Sequence, residues 1–513
     1  MSIVIPTHVE SGNVKAVGYA TPKEDKKPQK MYALPKRVIP IVFLPGIMGS
    51  NLRMNAARQA LLRRKNNIAW RPDRPKEMVG LIHADPAQRQ MQLDPAATEV
   101  DTYDNGSAPT GTRSESAKER QDCGSIHVTI HSGHPLLLLD DPPTAKPRRT
   151  KEEMVLDRGW GEVYFSSYRE ILEECEQLLN RPTKYGGWGR ILDTDPATWG
   201  AVDNPRVSPL TEDELVRATH GCMFPVHAMG YNWLQSISVS ARTLAGRITS
   251  LIERYKSMGL QCEKVIIVTH SMGGLVGRAL IHPKMGNIED KVLGVVHGVQ
   301  PATGAPAAYK RIRCGFEEGA LGIDPAPKIL GNFGAEVTSV LANSVGGLQL
   351  LPSCDYGNGW LRVTHKGIVL DRWPKNGDPY AEIYSLRDKW YGLLRDEWVN
   401  PARNGLSGFE ETCERLILAK EFHQSIAHVY HPVSYAHYGA DPKRGSWENV
   451  TWNYELPVLA SNWQELKVLT DDGQGLLSLA DANHAPEMPS GITVKLAAAF
   501  GGACQNFSVN PGS

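Results

Sequence analysis

A serine hydroxyl is a weak nucleophile until the backbone lifts its oxygen clear and a nearby base can take its proton. The run Thr269-His270-Ser271-Met272-Gly273-Gly274 prepares Ser271 for that chemistry. Before it, Val265, Ile266, Ile267 and Val268 are apolar and β-branched, as in a buried strand. After it, Leu275, Val276, Ala279 and Leu280 recur at helical spacing. A strand, a sharp turn with serine at its tip and a helix make a nucleophile elbow. Thr269 stands where such a turn usually carries its first glycine, which is a tighter fit. Gly273 and Gly274 keep the helix side small.

Attack on an ester carbonyl also needs donors for the oxyanion that forms. An earlier apolar run, Val38-Ile39-Pro40-Ile41-Val42-Phe43-Leu44, reads as a strand and ends in Pro45-Gly46-Ile47-Met48-Gly49-Ser50-Asn51-Leu52. Glycines at 46 and 49 allow a turn whose amides point into a cavity. One oxyanion donor is expected from that turn. The other is the amide just after the nucleophile, Met272. His297 lies inside a strand pattern and too soon after Ser271 for the order serine, acid, histidine, so it reads as a core histidine. His127, His131 and His134 cluster beside Asp122 and Cys123, but their spacing matches no metal motif. No metal and no cofactor are expected.

The elements that must position these groups follow the chain. Residues 226–233 form a strand ending near the site. Ala241, Leu244, Ala245, Ile248, Leu251, Ile252 and Tyr255 trace an amphipathic helix, with Ser240 as its N-cap and Gly259 as its stop. The elbow strand follows at once, so the unit is strand, helix, strand, which implies parallel pairing and a right-handed crossover. Residues 292–299 and 433–440 give two more strands. The expected fold class is α/β, with a mostly parallel central sheet. Residues 1–36 are polar and rich in Lys and Pro and read as a flexible arm. The hydrolytic core spans 37–310, interrupted by an irregular insertion at 53–157. Residues 311–430 read as helices and loops forming a cap, with aromatics Tyr384, Trp390, Tyr391 and Trp398. Residues 431–513 return to the sheet, with 447–454 and 466–479 forming a hairpin layer around Asp471-Asp472-Gly473.

The chain has 513 residues, with 56 basic and 56 acidic side chains. That balance excludes a general nucleic-acid binder, whose basic surplus would show. No apolar run is long enough to span a membrane, and no signal-peptide pattern opens the chain, so a cytoplasmic origin is expected. Eight scattered cysteines without a Cys-x-x-Cys fit reduced thiols.

The loop at 44–52, Gly230-Tyr231-Asn232-Trp233, the elbow and Leu350-Leu351-Pro352-Ser353 together resemble the lecithin:cholesterol acyltransferase-like lipases of the α/β-hydrolases. The resemblance implies a serine, acid, histidine triad, an oxyanion hole at the Met48 and Met272 amides, and a lipid or other ester substrate met by transient contact with a membrane surface. It extends to bacterial lipase effectors delivered by type VI secretion, which implies export by a dedicated system and an immunity or delivery partner. The chain departs from the family at the acid and the histidine. Ala503-Cys504 stand where Gly-Asp is expected, with no histidine after them. A truncated or frame-altered chain, other residues serving, and a hydrolase fold retained for binding without full activity are the three explanations. Asp355 with His431 or His437 keeps the order serine, acid, histidine; Asp471 or Asp472 with His484 is the other set.

Overall fold

The computed structural model describes residues 36–103, 151–180, 187–200, 207–317, 326–439, 447–454 and 465–480, and the backbones of strands Thr7–Glu10, Asn13–Gly18, Gln29–Ala33 and Ile492–Phe500. Five strands build the central sheet: β1 (Ile41–Leu44), β2 (Val226–Ala228), β3 (Val265–His270), β4 (Val292–Gly298) and β5 (Ser434–His437). Their order is β2-β1-β3-β4-β5, and every pair is parallel. This is the parallel α/β sheet that the apolar runs predict, because strands covered on both faces read as nearly continuous hydrophobic stretches.

Alternation along the strands assigns each residue to a face. Val265, Ile267 and Thr269 are buried toward one layer, while Ile266, Val268 and His270 are half-buried toward the other. The first layer holds α2 (Ile237–Ser257) and the elbow helix α3 (Met272–Ile281) in the main hydrophobic core. The second holds α1 (Phe165–Leu179), which packs Phe165 and Leu172 against Ile41, Phe43, Val226 and Ala228. Helix α2 begins at Ile237 after Ser236, one turn before the expected cap. Ser240 is buried inside it and donates to Asn232 O (3.3 Å). Gly259, at φ 78°, follows its end.

The insertion is more ordered than its composition suggests. Strands Leu52–Met54, Ile68–Trp70 and Thr98–Val100 form a small antiparallel sheet, and Trp70 is buried in the main core. The segment read as a polar arm contains three antiparallel strands; backbone ladders do not require apolar side chains. Beyond the sheet's β4, the helix-and-loop expectation misses a hairpin, Leu361–His365 with Ile368–Trp373. That hairpin joins Trp447–Tyr454, Ile492–Phe500, Leu476–Ala480 and Lys467–Asp471 in a second, six-stranded sheet. Within it Lys467–Asp471 and Leu476–Ala480 do pair as expected, but Trp447–Tyr454 pairs with Leu361–His365 and Ile492–Phe500 instead. Among the described residues no helix is long and apolar enough to cross a membrane.

Candidate active site

Strand β3 ends at His270, and Ser271 follows as the N-cap of α3 with φ 52° and ψ −122°. A side-chain-bearing residue in that region stores roughly 1–3 kcal/mol of strain, so the surroundings must hold it there. Ser271 N–H donates to Gly298 O on β4 (2.8 Å), and Gly274 N–H donates back to Ser271 O (2.9 Å). The turn is also wedged against β1. A Cβ on Gly273 would lie 2.5 Å from Leu44 O and 2.6 Å from Pro45 O, so only glycine lets the elbow sit on that strand end. Thr269 fits because the next turn of α3 makes room for it. A Cβ on Gly277 would come within 3.1 Å of the Thr269 Cγ2. The Thr269 hydroxyl meets His297 Nδ1 at 3.2 Å, so His297 is a buried, bonded core residue.

Opposite the elbow, Gly49 N–H donates to Gly46 O (3.0 Å) and closes a four-residue turn in which Met48 has φ 60°. Trp70 Nε1 donates to Met48 O (2.7 Å) and Tyr231 Oη to Pro45 O (2.8 Å), fixing the turn from two sides. The Gly230-Tyr231-Asn232-Trp233 motif therefore supports the turn. Tyr231 N–H and Trp233 Nε1 also bond Ser50 Oγ (3.0 Å) and Ser50 O (3.3 Å). The Met48 and Met272 amides donate to no group among the described residues. An amide at the first position of a helix has no intrahelical acceptor, so Met272 N–H is free by construction.

A residue not singled out from the sequence completes this corner. Tyr168, in α1, accepts the Gly46 N–H (3.0 Å) and lies 3.1 Å from His270 Nδ1. Its ring packs against Phe43 and His270 with centroids 5.0 and 5.6 Å apart. In the sequence Tyr168 belongs to no motif. The glycines at 46 and 49 are the sole hint that something must fit inside the turn.

The two histidine and acid sets fare differently. His437 is at the end of β5, in register with Gly298, which is also in register with His270. A Cβ on Gly298 would lie 2.7 Å from His437 Nε2, so the absent side chain lets the imidazole lean over that strand end. Burial, and then the proximity of His437, hold the His270 pKa below its ordinary value. His431 precedes β5 and is held locally, its Nδ1 accepting from Val433 N–H (3.0 Å) and its carbonyl from Ser434 Oγ (2.8 Å). Asp355 makes no side-chain hydrogen bond to a histidine among the described residues. It lies instead near Arg278, whose pKa is lowered by burial and raised in opposition by Tyr430 and Asp355. Arg278 ties α3 to the carbonyls of Ile426, Ala427, Val429 and Ala302 and stacks 4.2 Å over Tyr430.

Asp471 is engaged by Arg313 (3.2 Å) and Arg395 (3.1 Å), and Asp472 accepts from Gln474 and Leu476 amides in its turn. Both are occupied holding the second sheet. His484, Cys504 and the trio His127, His131 and His134 lie outside the described residues. Among the described residues no cluster of His, Cys, Asp and Glu is placed to hold a metal. Leu350-Leu351-Pro352-Ser353 braces the loop after β4, with Ser353 N–H on Thr303 O (2.8 Å) and Tyr384 Oη on Pro352 O (2.7 Å). A cavity of about 460 Å³ lies elsewhere, between α2 and residues 157–162, and its charges are paired as Arg247 with Glu162 and Arg254 with Asp157.

A parallel sheet in this order, with a strained serine between strand and helix at the C-terminal end of a central strand, defines an α/β-hydrolase. No family model and no curated protein matches the sequence. A solved structure does: a chain from the crystal structure of the Tle4–Tli4 complex is 30% identical, superposes with a TM-score of 0.67, and aligns over 90% of this chain and 85% of that one. The chain belongs to the same α/β-hydrolase family as that protein.

Proposed function

We propose that the chain is a serine-dependent lipase or phospholipase that cleaves carboxylic esters of lipids through an acyl-enzyme at Ser271. The observation that carries this is the elbow: Ser271 at φ 52° on the tip of a turn wedged into the oxyanion-type loop by Gly273. Ser271 Oγ bonds to the ester carbonyl carbon as its proton passes to a histidine. The carbonyl oxygen takes the negative charge, with the Met48 and Met272 amides as its donors. Collapse breaks the ester C–O bond and the alcohol leaves with the proton; water then releases the fatty acid. Of the candidate histidines, His437 is the one that shares the C-terminal end of the sheet with Ser271. The motifs at 44–52, 230–233 and 350–353 support the lecithin:cholesterol acyltransferase-like branch.

The matched structure supports the wider setting. That structure is of a Tle4–Tli4 complex, a protein held by a partner. By extension this chain is an exported effector that meets its lipid at a membrane surface and is held by an immunity partner. A second assignment, a hydrolase fold kept for binding, is favoured by one observation: Ser271 Oγ hydrogen-bonds no histidine among the described residues. Fatty-acid release from mixed phospholipids by the unsubstituted protein and by Ser271→Ala separates them. Release lost in Ser271→Ala supports the lipase; equal release from both removes Ser271 from the mechanism.

A further inference from the structure

We propose that Tyr168 is a positioning residue for the Ser271 reaction, holding the oxyanion loop and the elbow at a fixed separation through one hydroxyl. The inference rests on Ser271 being the nucleophile and adds a part that the serine, acid and histidine roles do not include. Three approaches converge on the Tyr168 oxygen. Gly46 N–H donates to it at 3.0 Å, His270 Nδ1 lies 3.1 Å away, and a Cβ on Gly49 would stand only 2.7 Å from it. The hydroxyl therefore fills the inside of the 46–49 turn. It also reaches the residue immediately before the nucleophile, so one atom touches both halves of the site.

The donor directions are consistent. Burial raises the Tyr168 pKa and lowers that of His270, so near neutral pH the phenol keeps its proton and the imidazole is neutral. In the tautomer that carries its proton on Nε2, His270 Nδ1 accepts from Tyr168 O–H while the phenol oxygen accepts from Gly46 N–H. With the Gly46 amide used in this way and the Gly49 amide on Gly46 O, the Ile47 and Met48 amides are the two of the turn left for a developing oxyanion. Helix α1 delivers the phenol from outside the core sheet. Asp73 caps its first turn, accepting from Phe165 N–H (2.7 Å) and Ser166 N–H (2.9 Å). On the other flank Gly46 and His270 are already in contact distance, since a Cβ on Gly46 would lie 3.0 Å from His270 Nδ1 and 3.1 Å from Ser271 Cβ. Freeing the Gly46 amide would let the turn rotate within that narrow gap. The ring contacts with Phe43 and His270 would survive.

Tyr168→Phe tests this with a short-chain p-nitrophenyl ester and with an alkyl boronic acid, which forms a tetrahedral adduct on a reactive serine. The expected result is a kcat lower by about 10–100-fold with KM within about twofold, since the interaction serves the transition state and not the ground state. Boronate affinity should fall by a similar factor, and the circular dichroism spectrum should not change. Gly49→Ala, whose Cβ would crowd the same hydroxyl (2.7 Å) together with Pro45 Cβ (2.9 Å) and Gly46 O (3.0 Å), should also lower kcat more than it changes KM. Unchanged kcat and boronate affinity in both variants overturns the inference, as does a change in KM alone. An unsubstituted protein that neither turns over the ester nor binds the boronate overturns the Ser271 assignment itself, and this inference with it.

Discussion

Thr269 and Gly277 are complementary: the methyl group of one fills the space where the other has no side chain. A Cβ at Gly277 would sit 3.1 Å from Thr269 Cγ2, while the Thr269 hydroxyl stays 3.2 Å from His297 Nδ1. The elbow tolerates threonine in its first glycine position because a glycine in the second turn of the elbow helix has yielded the volume.

This gives a double-mutant test. Glycine inside a helix costs about 1 kcal/mol relative to alanine, so Gly277→Ala would stabilise α3 were there space. Thr269→Ser removes only the methyl and keeps the hydroxyl. Gly277→Ala alone should therefore gain nothing or destabilise, and in the Thr269→Ser background it should stabilise. The expected coupling is about 1 kcal/mol, read from urea midpoints. Strict additivity would show that the two residues do not compete for space.

The strain at Ser271 predicts a conflict between stability and activity. Glycine adopts φ 52° without penalty, so Ser271→Gly should raise unfolding free energy by about 1 kcal/mol while ester hydrolysis disappears. A destabilised Ser271→Gly would mean that the serine side chain makes a net contribution to the fold.

Buried histidines predict acid sensitivity. Burial, reinforced by Arg278, lowers the His297 pKa to about 4, and burial lowers His423 to about 4 against the opposing hydrogen bond to Gln349. The ordinary value is 6.5, so the unfolded chain binds more protons than the folded one between those limits. The stability tied to these groups is full above pH 6.5 and is lost as pH falls toward about 4. Each contributes a slope of up to about 1.4 kcal/mol per pH unit in that window. Urea unfolding from pH 7 to 4 measures the slope, and His297→Gln should flatten it. An unchanged slope in that variant would remove His297 as a source.

The middle of the central sheet was legible because β1, β3 and β4 are mostly apolar runs, and the elbow because strand, serine and helix lie within one stretch of chain. What escaped depends on long-range contact. Tyr168 reaches Gly46 across 122 positions, and no periodicity carries that. The hairpin at Leu361–His365 and Ile368–Trp373 was missed because its second strand exposes Ile368, Val369 and Leu370 in succession, where an alternating pattern would have marked it. Helix α2 starts after Ser236, although Ser236 makes no side-chain cap bond, so serine's preference for caps could not separate it from Ser240. The partners of Asp471 and Asp472 were hidden for a related reason: they are arginines far along the chain and amides of their own turn.

The claim on which the functional account depends is that Ser271 is a nucleophile. Intact protein treated with a serine-reactive alkyl phosphonate, digested and analysed by mass spectrometry, tests it most directly. The account predicts one phosphonyl adduct, on the peptide containing Ser271, absent from Ser271→Ala. A folded protein with no adduct on Ser271, or an equal adduct in both proteins, would contradict it.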